Sequence, residues 1–161
     1  MTQDYYGTKR LSAEPMTRQQ YNDFRGWSLP ADENGADEGY LVEYQDGGKP
    51  NVAGRAGYIS WSPKEQFENA YQPITAMSFG SAVVALKAGK RVARAGWNGK
   101  GMWIGQFTEN WSGEMIGPIT MPDDWCGYFP FIAMYTADKK LVPWLASQTD
   151  ILADDWCELP A

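Results

Sequence analysis

The segment that most constrains the fold is residues 78–89, which have the pattern of a capped amphipathic helix. Ser78 is a preferred N-cap residue, and Gly89 can adopt the left-handed conformation that commonly ends a helix. Between them, apolar side chains recur at the spacing of one helix face: Phe79, Ala82, Val83 and Leu86. The pattern predicts a helix that buries one face and therefore needs a second layer to cover it.

Short strand patterns follow this helix to the end of the chain. They occupy residues 90–94, 102–107, 129–135 and 141–144, and a last short strand is predicted from Trp156. Residues 137–140 have the composition of a hairpin turn, whereas the polar, Gly/Pro-rich residues 108–127 predict a long loop. The predicted fold class is therefore α+β, with one amphipathic helix packed on an antiparallel β-sheet over residues 77–161.

The first half of the chain has its own signals, which predict a separate small α+β module over residues 1–73. A β-rich run at residues 39–44 is followed by Asp-Gly-Gly and then by a second run at residues 58–61. Two such runs around a turn signal predict a β-hairpin.

Two helices are predicted in this module. Ser62-Pro63-Lys64-Glu65 has the form of a capping box with proline at the first helical position, which predicts a helix over residues 63–71. A shorter helix is expected over residues 17–24, with Tyr21 and Phe24 facing inward.

Composition limits the class of protein and its partners. Of the 161 residues, 43% are hydrophobic and 14% aromatic, which is typical of a folded domain. The net charge of -6 argues against long nucleic acid as a partner, since that partner requires a broad basic surface. No apolar run reaches the roughly 18 residues of a membrane helix, and the N-terminus lacks a signal-peptide pattern, so we expect a cytoplasmic protein.

The inventory of reactive side chains is small. The sequence has no histidine, so the usual general base and the usual nucleophilic triads are missing. Cys126 and Cys157 are too few for a zinc site and are expected to be reduced, half-buried thiols. We therefore predict no cofactor, no metal ion and no catalytic residue.

Two segments combine tryptophan with polar side chains, and we expect them to face one another around a small nucleotide-like ligand. The first is the glycine-punctuated turn at residues 96–99, and the second is residues 142–156. In the turn, Trp97 either stacks on a base or packs in the core or at an interface; stacking is favoured, because a large apolar ring between glycines is poorly explained by core packing. Asn98 either hydrogen-bonds the ligand or supplies turn geometry.

Charged and hydroxyl groups complete the candidate site. Arg91 and Arg94 lie on the strand before the turn and either neutralise a phosphate or belong to a solvated strand face. In the second segment the candidates are Trp144, Ser147, Thr149, Asp150 and Asp155. Trp144 and Trp156 also fit a core position, and the hydroxyls and Asp150 also fit helix capping. A carboxylate suits ribose hydroxyls but would repel a diphosphate, so Asp150 or Asp155 is expected at the ribose end.

Four motifs resemble a known phage family. They are Met77-Ser-Phe-Gly, Leu86-Lys-Ala-Gly-Lys-Arg-Val-Ala-Arg-Ala-Gly-Trp-Asn-Gly-Lys-Gly-Met, Pro130-Phe-Ile-Ala-Met, and Val142-Pro-Trp-Leu-Ala-Ser-Gln-Thr-Asp-Ile-Leu-Ala-Asp-Asp-Trp. In this order they resemble the second Thoeris anti-defence family, over about residues 77–158. The first half of the chain instead resembles a small phage module of unknown activity.

The resemblance implies a non-catalytic sponge. Such a protein would sequester glycocyclic ADP-ribose made by TIR-domain enzymes, would not cleave it, and would thereby block activation of the Thoeris effector. It also implies a homo-oligomer, typically a tetramer, with pockets between subunits, and some relatives bind cyclic oligonucleotides as well.

Two other function classes stay open at this point. Asp154 and Asp155 could hold a metal ion in a nucleotide-hydrolysing enzyme, although neighbouring residues on a helix point apart. Alternatively, the tryptophans could pack at protein interfaces in an interaction module, which the first half of the chain fits best.

Overall fold

The chain divides into two compact units, Met1–Tyr71 and Gln72–Ala161. The computed structural model describes residues 2–97, 99, 101–107 and 129–160. The predicted loop at 108–127, together with Asn98 and Cys126, lies outside the described residues. Helices and antiparallel sheets occur in both units, which confirms the predicted α+β class.

The first unit contains a three-stranded antiparallel sheet of order β1–β2–β3. Its elements are β1 (Leu11–Pro15), α1 (Arg18–Arg25), β2 (Gly39–Tyr44), β3 (Ile59–Pro63) and α2 (Lys64–Ala70). The predicted hairpin forms, with Leu41 of β2 opposite Trp61 of β3. Strand β1 was not predicted, because its largely exposed sequence Leu-Ser-Ala-Glu-Pro has neither alternation nor β-branched residues.

Helix α1 begins and ends as its flanking residues require. The Thr17 side chain accepts a hydrogen bond from the Gln20 backbone while the Gln20 side chain accepts one from the Thr17 backbone, and Gly26 ends the helix at a φ of 67°. Tyr21 is buried with Leu41 and Ile59, as expected. The expectation for Phe24 was wrong: its side chain is 41% exposed, in the last turn of the helix.

Helix α2 forms where it was predicted, but without the predicted cap. Ser62 still belongs to β3, where it is paired with Tyr40, and Pro63 occupies the N-cap position without a side-chain hydrogen bond to the helix. The capping-box interpretation was therefore wrong, because strand pairing positions the serine.

The second unit packs helix α3 against a five-stranded antiparallel sheet of order β7–β6–β5–β4–β8. Its elements are α3 (Phe79–Lys87), β4 (Val92–Arg94), β5 (Trp103–Phe107), β6 (Phe131–Tyr135), β7 (Leu141–Pro143), α4 (Gln148–Ile151) and β8 (Trp156–Glu158). Ser78 caps α3 by accepting from the Ser81 backbone, and Gly89 follows the helix at a φ of 75°. Both predicted helix ends are confirmed.

Strand alternation divides this sheet into two faces. Val92, Ile104 and Trp156 lie on the face that packs with Leu86 of α3. On the opposite face, the Trp103 ring stacks on Tyr135 with centroids 5.3 Å apart. The face under α3 is therefore the core, and its edge at β8 leads directly to the candidate site.

Candidate functional site

The turn after β4 meets the segment that contains α4 and β8. Arg94, the last residue of β4, lies opposite Trp156 in the antiparallel register. The next residue, Ala95, donates its backbone N–H to the Asp155 carbonyl at 3.1 Å. The two segments that were predicted to form a ligand site are thus adjacent at one corner of the sheet.

Three tryptophans meet edge to face at this corner. The Trp97 ring centroid lies 5.4 Å from that of Trp156 and 6.4 Å from that of Trp144. Trp156 is fully buried, and its indole N–H donates to the Asp150 carbonyl at 3.0 Å. Trp97 and Trp144 are only partly buried against the same core. Trp156 is therefore a core residue, while the other two rings keep exposed surface.

Two carboxylates hold the Arg94 guanidinium between them. Its Nε donates to Asp155 Oδ1 at 2.8 Å, and its Nη1 donates to Asp150 Oδ1 at 2.9 Å. The same Nη1 also lies 3.2 Å from the Thr149 carbonyl. The Arg94 and Asp150 side chains are 18% and 13% exposed, so this ion pair is partly shielded from water.

These contacts keep all three groups charged near neutral pH. Burial by itself raises the pKa of Asp150, but hydrogen bonds from Ser147, Arg94 and the Trp97 indole lower it below its ordinary value. The Arg94 hydrogen bond and the Gly96 backbone N–H lower the pKa of Asp155. Both carboxylates in turn raise the pKa of Arg94.

The hydroxyls of the second segment are placed at the start of α4. Ser147 and Asp150 form a capping box, with the Ser147 Oγ 2.6 Å from Asp150 Oδ2. The Ser147 and Thr149 hydroxyl oxygens are 2.8 Å apart, and both residues are exposed. Capping therefore holds Ser147 in place and leaves both hydroxyls at the surface.

Residues 77–159, which contain this whole corner, match the family model described as the Thoeris anti-defense 2-like domain. The chain belongs to this Thoeris anti-defense 2-like family. A relative named Thoeris anti-defense 2, from Bacillus phage SP01, is 36% identical over 91 residues, which cover 51% of this chain and 93% of that protein. The resemblance predicted from the four motifs is confirmed.

Not every candidate residue lies at this corner of the family domain. Arg91 precedes β4 and lies on the opposite face of the sheet, with its guanidinium 5.5 Å from the Trp103 ring centroid. It is therefore separated by the sheet from Arg94 and Trp97, whereas Trp144, Ser147, Thr149, Asp150 and Asp155 share their corner. Asn98 is outside the described residues.

The backbone N–H of Gly96 contributes to the site and was not predicted from the sequence. The Gly96 N–H donates to Asp155 Oδ2 at 2.8 Å, and a Cβ on Gly96 would lie only 3.0 Å from that oxygen. A glycine next to a candidate tryptophan was the available signal, since close approach of another group to the backbone often requires glycine.

The first unit contains a groove of about 650 Å³ that was not predicted from the sequence. The residues that line it include Arg18, Glu33 and Trp61.

Cys157 is free and partly buried, as expected. Within the described ranges, no group of three or more Cys, Asp and Glu side chains is arranged to hold a metal ion. The same part of the chain has no helix with the length and apolarity needed to span a membrane.

Proposed function

We propose that this protein is a phage anti-defence sponge that binds a cyclic ADP-ribose-type signal, such as glycocyclic ADP-ribose, in the cytoplasm of an infected bacterium. Binding without cleavage would withhold the signal from the Thoeris effector. Membership in the Thoeris anti-defense 2-like family supports the pathway. The observation that carries the ligand class is that the turn with the partly exposed Trp97 indole is joined to the polar segment at residues 147–155, through hydrogen bonds from Ala95 and Gly96 to Asp155.

The chemistry of this corner suits a purine nucleotide. Stacking of a base on an aromatic ring contributes about 1–3 kcal/mol, and Trp97 presents such a ring at the turn. The exposed Ser147 and Thr149 hydroxyls are suited to hydrogen-bond ribose hydroxyls. Asp150 and Asp155 make the same region unfavourable for phosphates, so the ribose end of the ligand belongs there.

Binding without bond breaking agrees with the state of these carboxylates. A general acid or base works best when its pKa lies near the working pH. The pKa of Asp150 and that of Asp155 are instead lowered by hydrogen bonds, and Arg94 holds both side chains in place. They are thus well suited to structural and recognition functions.

We further propose that the protein works as a homo-oligomer, with a tetramer as the expected state. The segment that contains α4 exposes three apolar side chains: Leu145 is 93% exposed, Leu152 79% and Ile151 48%. Exposed apolar surface of this kind is commonly covered in an assembly. A neighbouring subunit placed there would add a wall to the ligand site.

A depletion experiment tests the sponge. The protein is incubated with glycocyclic ADP-ribose and filtered, and the filtrate is analysed by chromatography before and after heat denaturation. We expect the ligand to disappear in proportion to protein and to return unchanged on heating. A new chromatographic product would instead indicate a hydrolase, and no depletion would favour the interaction module. A parallel run with cyclic oligonucleotides tests the wider ligand range.

The Trp97→Ala variant tests the site itself. It is expected to abolish depletion, because the stacking surface is lost while the fully buried Trp156 keeps the core intact. Trp27→Ala is a matched control, since Trp27 is 52% exposed in the first unit. Depletion by Trp97→Ala equal to that of the wild type would reject the assignment of Trp97 as the stacking residue.

A further inference from the structure

Arg94 was a candidate phosphate ligand, yet its guanidinium already has three acceptors within the chain. Asp155 and Asp150 accept from two of its nitrogens at 2.8 and 2.9 Å, and the Thr149 carbonyl lies at 3.2 Å. One positive charge is therefore shared by two carboxylates, and the group as a whole is negative. A diphosphate approaching Arg94 would meet that excess negative charge.

Hydrogen bonds through Arg94 also hold the turn that contains Trp97. Asp155 binds Arg94 through Oδ1 and the Gly96 N–H, at 2.8 Å, through Oδ2. The Arg94 carbonyl accepts the Trp97 backbone N–H at 3.3 Å. Asp150 accepts from Arg94 at 2.9 Å and joins it to the start of α4. Asp155 thus connects the guanidinium directly to the turn.

Removing the guanidinium would leave two partly buried carboxylates close together without their counter-charge. Like charges at such a separation repel, and each carboxylate would turn toward water or take up a proton. Such a change at Asp155 withdraws the acceptor of the Gly96 N–H. The position of the Trp97 ring, one residue further along the turn, therefore depends on the Arg94 guanidinium through Asp155.

We propose that Arg94 is a positioning residue: it holds Asp155 so that this carboxylate fixes Gly96 and the turn that carries Trp97, and it leaves the phosphates of the ligand to other groups. This inference rests on the proposed function in that Trp97 is taken as the stacking residue. It deepens that function by dividing the corner into a ring that stacks and an ion-pair cluster that orients it.

The first test examines the turn without any ligand. Hydrogen exchange of the Gly96 backbone N–H, which donates to Asp155 at 2.8 Å, is measured by NMR in Arg94→Gln and in the charge-matched control Lys90→Gln, whose lysine is exposed. We expect exchange to accelerate about tenfold or more in Arg94→Gln and to be unchanged in the control, the loss of one charged hydrogen bond being of that size. Arg94→Lys, which keeps the charge but loses the planar fork, is expected to lie between them.

The second test uses the sign of a change in affinity. Titration calorimetry with glycocyclic ADP-ribose compares the wild type with Asp155→Asn, and thermal unfolding of the variant is measured alongside to check that it is folded. If Arg94 positions the turn, Asp155→Asn weakens binding. The double variant Arg94→Gln, Asp155→Asn is then expected to bind glycocyclic ADP-ribose no more weakly than either single variant. If Arg94 binds phosphate directly, removing a competing carboxylate strengthens binding, and that result would overturn the proposal.

The two tests also separate this inference from the sponge function. A wild-type protein that does not bind glycocyclic ADP-ribose defeats the proposed function, while the Gly96 exchange measurement still decides whether Arg94 holds the turn. Conversely, a wild-type protein that binds, together with an Arg94→Gln variant whose Gly96 exchange and affinity are unchanged, keeps the sponge and rejects the positioning.

Discussion

At the scale of single residues, Asp155 shows how hydrogen bonds can fix a side chain that lies near the surface. Its side chain is 35% exposed, yet its two oxygens accept from Arg94 and from Gly96. These bonds lower its pKa, and Asp150 is shifted in the same direction. A carboxyl group with a lowered pKa in the folded state stabilises the fold fully above its unfolded pKa of about 3.9, and this contribution is lost as the pH falls below that value.

Replacing this carboxylate should therefore cost stability in a pH-dependent way. Asp155→Asn is expected to lower the free energy of unfolding at pH 7 by about 1 kcal/mol, a charged hydrogen bond discounted for partial exposure. The difference from the wild type should shrink as the pH falls below about 4. Urea unfolding between pH 7 and pH 3 measures it, with the exposed neighbour in Asp154→Asn as control; a difference independent of pH would contradict the assignment.

At the scale of elements, a capping motif has an effect only where the chain is free to begin a helix. Thr17 follows a loop residue and forms a complete capping box with Gln20. Ser62 has an equally suggestive sequence but is paired in β3 when α2 begins. The same short-range pattern thus produces a cap in one case and a strand residue in the other.

The two serine/threonine positions provide a matched pair within the first unit. Thr17→Ala should lower the free energy of unfolding of this unit by about 1 kcal/mol, because the Gln20 N–H loses its acceptor. Ser62→Ala should change it by less than about 0.5 kcal/mol. Chemical denaturation followed by tryptophan fluorescence compares them, and equal losses would show that Ser62 caps α2 after all.

At the scale of the whole molecule, the family segment coincides with the second unit. The Bacillus phage SP01 relative aligns over 93% of its own length but only 51% of this chain. A protein of nearly the size of this segment therefore exists without a counterpart of the first unit in the alignment. The corner formed by Trp97, Arg94, Asp150 and Asp155 also lies entirely within Gln72–Ala161.

Residues 72–161 expressed alone are accordingly expected to deplete glycocyclic ADP-ribose as the full chain does, because every described contact of the corner is retained. Light scattering coupled to size exclusion should give a mass four times that of the fragment if the assembly also belongs to this unit. A folded fragment that neither depletes ligand nor assembles would show that the first unit contributes to the site.

Local signals in the sequence were sufficient for much of this architecture. The start and end of α3, the capping box of α4 and the hairpin of β2 and β3 each depend on residues a few positions apart, so they can be read without a structure. The motifs over residues 77–158 were likewise enough to recognise the family. Amphipathic spacing also indicated that α3 must cover a sheet.

The electrostatic use of Arg94 was decided by the tertiary structure. The sequence places it beside Trp97 and makes it look available for a phosphate, while its partner Asp155 is 61 positions away. The exposure of Phe24 and the pairing of Ser62 have the same origin. The chemical groups of a side chain are known from the sequence alone. Its partners and its access to water depend instead on which distant segments the fold brings against it.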